Sequence, residues 1–276
     1  MSLLKYRFLA TLLIAFQALN CAEGGPSAVD PPLPPGTAPE PVAGDRVLLQ
    51  DSFDGATVAD QVAPYATRGT IQRVTDGHSG AAIRFAYSAS STDNLIEANF
   101  TTTQDVYIRY WFRTNPGADP TNGNVGSSGM KWFMAWRPNS NIRYTMALAS
   151  LDNAAGPPSA EPNAGGEFTS HDQSSAQEYN PFLQNISKTP RWRNTNDGQW
   201  HKYTVHIVTG TGTTDTRSGY EQIWIDGILV LDTRAYPVDH DPTGISLIQF
   251  PGFIVSWDAT QPNFNIDVDD LAVWHH

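Results

Sequence analysis

Residues Asp105 to Arg113 read DVYIRYWFR, and the alternation in that stretch decides the fold. Val106, Ile108, Tyr110 and Phe112 fall on one side of an extended chain, and Tyr107, Arg109, Trp111 and Arg113 on the other. Successive side chains of a strand point to opposite faces, so a period of two predicts a half-buried β-strand. Runs of the same kind recur on both sides of it: Arg46–Asp51, Ala82–Tyr87, Lys131–Arg137, Ile142–Leu148, Lys202–Val208, Glu221–Asp226, Ile228–Asp232, Ile245–Phe250 and Ile266–Trp274. Turn residues separate them, and no segment carries a sustained 3.6-residue apolar stripe. Many short strands without crossover helices predict an all-β antiparallel domain, a sandwich or a barrel.

Composition agrees. Only 16% of the 276 residues are charged, so the polar surface must come largely from Ser, Thr, Asn, Gln and Gly, a mix that suits strands and turns better than exposed helices. The formal charge of −11 lacks the basic footprint that phosphate binding needs, so no nucleic-acid partner is expected. One Cys excludes an intrachain disulfide framework and a Cys-rich zinc site. Residues 1–21 have the layout of a secretory signal, with Lys5 and Arg7 ahead of an apolar run from Phe8 to Leu19. Cys21 follows directly, and its placement resembles a bacterial lipoprotein signal in which the Cys is lipidated; plain secretion is the alternative. Either way export is expected. Residues 22–44 (…PPLPPGTAPEPVAG) read as a Pro-rich linker, and residues 45–276 as the β domain. Residues 152–198 are expected to form a long loop, which holds His171, Tyr179 and Trp192 and is too long to be an ordinary connection.

Five stretches in this order carry a resemblance: YIRYWFRTNP (107–116), KWFMAWRP (131–138), DGQWHKYTVHIV (197–208), EQIWIDGILV (221–230) and NIDVDDLAVW (265–274). Together they resemble the concanavalin A-like lectin/glucanase superfamily, and within it the polysaccharide-lyase-like members. Each stretch also has a structural explanation. Trp200 after Asp197-Gly198 is suited to plug the core at a strand start, Asp226-Gly227 to make a tight hairpin turn, and the last strand to close a sheet. The resemblance implies a jelly roll of two packed antiparallel sheets, one of them a concave groove for a glycan chain. It also implies that the first and last strands lie close together, often with a structural Ca²⁺.

Flat aromatics and planar polar groups suit sugar rings, and cations suit acidic glycans. Cationic and aromatic side chains that alternate with apolar ones point to a solvated groove or simply to a wet outer face. The expected polysaccharide-binding set is Arg109, Trp111, Arg113, Lys131, Arg137, Gln222 and Trp224. A lyase reading needs a cation to neutralise a uronate carboxylate and a group to move the neighbouring proton. Arg109, Arg143 or Lys131 fits the first role; His206, or Tyr179 or His171 on the long loop, fits the second. Glycoside hydrolysis is disfavoured, because no E-x-D-x-x-E string supplies paired carboxylates. Asp54, Asp269 and Asp270 are a candidate partial ligand set for a structural Ca²⁺, with solvated turn aspartates as the alternative. Three functions remain open: a carbohydrate-binding module, a lyase of acidic polysaccharides, and an adhesive surface domain.

Overall fold

The computed structural model describes residues 38–116, 130–136, 143–149, 167–172, 197–209, 219–232, 243–254 and 263–276; side chains at 130–132, 136, 143–149, 167–172, 221, 230–232 and 253–254 are outside the description. All of these residues lie in one unit, 33–276. The strands are β1 (Arg46–Asp51), β2 (Ala66–Arg68), β3 (Ile71–Val74), β4 (Ala82–Tyr87), β5 (Leu95–Thr103), β6 (Asp105–Thr114), β7 (Met130–Trp136) and β8 (Arg143–Ala149). They continue as β9 (Glu167–Asp172), β10 (His201–Val208), β11 (Tyr220–Ile225), β12 (Ile228–Asp232), β13 (Ile245–Phe250), β14 (Phe253–Ile254) and β15 (Phe264–His275). A short helix, α1 (Val58–Val62), starts at Thr57, which forms a capping box with Asp60.

The strands make two antiparallel sheets, so the fold is a β-sandwich. Sheet A runs β12-β11-β10-β6-β15-β4-β3, with β1 also paired to β15. Sheet B runs β2-β5-β13-β7-β8-β9, with β14 on β7. The alternation of DVYIRYWFR holds: Val106, Ile108, Tyr110 and Phe112 all enter the shared core. Tyr203, Val205 and Ile207 of β10 and Ile266, Val268, Leu271 and Val273 of β15 join them from sheet A. Sheet B contributes Ile96, Ala98, Phe133, Ala135, Ile248 and Phe250.

The last strand lies inside sheet A, with β6 along one side and β4 and then β1 along the other. β15 is buried along most of its length on both faces, which fits its mixed apolar run. Trp200 does not plug the core. It falls on the outward parity of β10 and lies half-buried against Arg113 instead. The Asp-Gly turn is as expected: Ile225 pairs with Ile228 around Asp226 (φ 52°) and Gly227 (φ 79°). Positive φ at both central positions is what a type I′ hairpin turn demands.

Candidate functional site

The outward face of sheet A gathers the polar half of β6. Cross-strand register places Arg113 beside Asp267, Trp111 beside Asp269 and Lys202, and Arg109 beside Thr204. Arg113 and Tyr107 at the two ends are six residues apart, so this row is about 20 Å long. At the Arg113 end, Asp267 is almost fully buried, 3% exposed. Arg84 reaches it with two donors, Nε at 2.6 Å and Nη2 at 2.9 Å, and Arg113 with two more, at 3.0 and 2.7 Å. Arg113 also pairs with Asp76 at 3.1 Å, and its guanidinium carbon sits 4.7 Å from the ring centre of Trp200. Beside this network is a cavity of about 310 Å³ lined by Arg84, Arg113, Asn115, Gln199, Asn265 and Asp267, among others.

Trp111 comes next along β6 and is stacked on His78, with ring centres 3.7 Å apart. His78 is held by a β-bulge in β15. Register slips between Asp269 and Ala272, and Asp270 takes φ 51°. A bulge bends the strand and re-aims its side chains. Here it turns Asp269 and Asp270 toward the loop 77–80. Asp269 Oδ2 accepts from His78 N (2.7 Å) and Ser79 N (3.1 Å), and its Oδ1 accepts from Asp270 N. Asp270 takes Ser79 Oγ and His78 Nδ1, both at 2.8 Å, while Asp54 Oδ1 accepts from Ala81 N at 2.8 Å. Gly80 is required here, because a Cβ would fall 2.1 Å from Asp54 Oδ1. Burial first, and then repulsion from Asp270, raise the Asp269 carboxyl above its ordinary range despite its N–H donors. Five of the donors on these three carboxylates come from the 77–81 loop. Among the described residues no three His, Cys, Asp or Glu gather as metal ligands. Asp54, Asp269 and Asp270, the candidate Ca²⁺ ligands, accept hydrogen bonds here that shape the loop.

Toward the other end, Arg109 Nη1 donates to Glu40 Oε2 at 2.7 Å, and Lys202 Nζ donates to Glu40 Oε1. Burial acts on Glu40 to raise its pKa, but the hydrogen bonds from Lys202 and Arg109 outweigh it and the net shift is downward. Thr204, between these cations and Trp224, is fully buried although it faces outward. Nearby, His201 bridges Asp226 Oδ2 (2.6 Å) and Asp197 Oδ1 (3.0 Å). Burial opposes its charge, yet the two carboxylates prevail and lift its pKa above the ordinary 6.5.

Of the expected binding residues, Arg109, Trp111, Arg113, Gln222 and Trp224 share sheet A, but Gln222 and Trp224 are buried. Lys131 lies on β7 in sheet B, with its side chain outside the description, and Arg137 is outside the described residues. Two of the expected catalytic residues fall on different sheets. His206 is on β10 in sheet A and Arg143 on β8 in sheet B, while Tyr179 lies outside the described residues. His206 is 4% exposed, stacked on Tyr107 (3.8 Å), with Nε2 on Asp105 (2.8 Å) and Nδ1 facing Gln222 (3.4 Å). Both nitrogens are engaged, a setting that fits a structural His. Burial pushes the Tyr107 phenol up to about 12, so it stays protonated at neutral pH. Cys21 is also outside the described residues. Sequence reasoning missed Arg84, Asp267, His201 and Glu40. Alternation in AIRFAY marked Arg84 as outward, and the two Asp-Gly pairs framed His201, but Glu40 carried no signal inside a Pro-rich stretch.

No protein-family model matches the sequence, and no curated protein matches it. Solved structures do. An alginate lyase bound to alginate tetrasaccharide is 16% identical, covering 82% of this chain and 95% of its own, with a TM-score of 0.50. A cellulose-induced protein is 13% identical over 82% of this chain and 96% of its own, TM-score 0.51. A marine alginate lyase from Aplysia kurodai is 10% identical over 83% and 98%, TM-score 0.52. At these identities the likeness establishes a shared β-sandwich fold, and function rests on the site.

Proposed function

We propose that this chain is an exported polysaccharide-binding β-sandwich protein whose ligand lies on the outward face of sheet A. The observation that carries the reading is the cavity of about 310 Å³ beside Trp200 and the Arg84–Asp267–Arg113 network. Its guanidinium, amide and carboxylate groups match sugar hydroxyls, which both donate and accept. Its size suits one or two sugar rings by the usual range of ligand sites, which starts near 300 Å³. The likeness in fold to an alginate lyase solved with an alginate tetrasaccharide supports a saccharide ligand. Calorimetric titration with neutral oligosaccharides tests it. Trp200→Ala removes the ring that supports the lining residue Arg113 and should weaken binding roughly tenfold, and unchanged affinity would remove the site.

A second reading, lyase activity on an acidic polysaccharide, is favoured by one feature of sheet B. The β8–β9 register sets His171 opposite Thr145, two residues from Arg143, so a candidate base and a candidate carboxylate partner occupy diagonal positions on neighbouring strands. Growth of unsaturated uronide absorbance that is lost in His171→Ala and Arg143→Ala, but kept in His206→Ala, would support it. Attachment to a membrane through a lipidated Cys21 belongs to the same proposal and is read by mass spectrometry of the mature N-terminus.

A further inference from the structure

The segment ahead of β1 crosses the same face. Val42 N donates to Asp45 Oδ2 (2.8 Å), Asp45 N donates to Val42 O (3.1 Å), and Gly44 takes φ 108°. This turn sends residues 38–41 back over sheet A. Glu40 meets Arg109 on β6 and Lys202 on β10, and Ala38 N lies 4.0 Å from where a Cβ of Gly227 would stand, at the β11–β12 turn. The strap therefore runs across the strands, from the β1 side to the far hairpin. Its sequence, Ala38-Pro39-Glu40-Pro41, has two residues without an N–H.

Beneath it the hydrogen bonding is incomplete. Arg109 Nε and Thr204 Oγ1 are buried and have no hydrogen-bond partner among the described residues. Buried polar groups left unmatched are costly, and a proline-flanked strap has little to offer them. A sugar hydroxyl can supply both an acceptor for Nε and a donor or acceptor for Oγ1. The two cations themselves need an anion, because like charges on neighbouring strands repel. We propose that Arg109 and Lys202 form a subsite for a ligand carboxylate, and that Glu40 occupies it in cis, so that the 38–41 strap masks this face until a carboxylate-bearing sugar chain displaces it. The inference rests on the carbohydrate reading only for what carries the carboxylate. The cavity at the Arg113 end cannot be the acidic subsite: its Arg84 and Arg113 face Asp76, Asp197 and Asp267, so its charges are already compensated.

A tethered carboxylate competes at high effective concentration, so deleting it should raise apparent affinity without any new contact. The test uses the full chain as wild type, Glu40→Gln, and Glu40→Gln with Arg109→Gln. Each is titrated calorimetrically at fixed ionic strength with a glucuronate oligosaccharide and with a neutral glucose oligosaccharide of equal length. Glu40→Gln should bind the uronate roughly tenfold more tightly than wild type. Arg109→Gln in that background should abolish the gain, and the neutral sugar should not respond to either change. Glu40→Gln binding the uronate no more tightly than wild type would overturn the masked subsite, as would an equal gain for both sugars. Uronate tightening with no neutral binding in any protein would uphold the masked subsite while removing the cavity reading. Melting temperatures of all three proteins confirm that folded material is compared.

Discussion

Two positions on the outward row of β6 hold the same residue type in opposite circumstances. Arg113 is matched by Asp267, a carboxylate on the adjacent strand β15 that is almost out of reach of water and is shared with Arg84. Arg109 is matched by Glu40, which arrives from outside the sheet and keeps 37% of its side chain exposed. The first pair is built into the strand ladder and cannot part without unpairing two guanidiniums. The second can be replaced by any carboxylate that reaches Arg109 and Lys202. The Arg113 part of the row is therefore scaffold for a cavity and the Arg109 part is a covered subsite.

Stability measurements should expose that contrast. Asp267→Ala leaves Arg84 without its carboxylate and Arg113 with only the exposed Asp76, and should cost about 3–5 kcal/mol of unfolding free energy in denaturant titration. Equal losses from Asp267→Ala and Glu40→Ala would erase the distinction. His201→Gln, which breaks the clamp between β10 and the Asp226 turn, should cost about 1.5 kcal/mol at pH 5. Because the folded pKa of His201 lies above its ordinary 6.5, the clamp is fully stabilising below that pH and is lost as pH rises through the folded value. The penalty of His201→Gln should therefore shrink in unfolding curves taken toward pH 9, and a flat pH profile would place the charge elsewhere. Glu40→Ala should cost under about 1 kcal/mol, since a half-exposed ion pair is screened by solvent. Smallest of all, adding Ca²⁺ or a chelator should move the melting temperature by under about 1 °C, because only a bound ion would stabilise the fold. A larger shift would identify the aspartates around the β15 bulge as ligands.

Legibility in the sequence followed alternation. β6 was readable because four large apolar residues alternate with four polar or amphipathic ones, and the Asp226-Gly227 turn because left-handed backbone selects those residues. β5 was missed although it is nine residues long and lies inside sheet B. Its second half, Asn99 to Thr103, has no apolar alternation, since only its first half packs under both faces. The short β2 and β3 carry too few residues to show a period. For the site, outward parity was correct for Arg109, Trp111 and Arg113, but nothing local distinguishes an outward Trp that is open from one like Trp224, which is 6% exposed.

Residue order alone was enough for the class of fold and for which side chains of β6 avoid the core, because both follow from a period of two and from the cost of burying charge. It did not reveal that β7 and β8 leave β6 and β10 for the opposite sheet, separating Arg143 and Lys131 from Arg109 and His206. Nor did it show that Glu40 folds back onto two cations. Those facts depend on pairings between strands far apart in the chain, and on one turn at residues 42–45. Long-range pairing is chosen by the energy of the whole packed core, which no local pattern records.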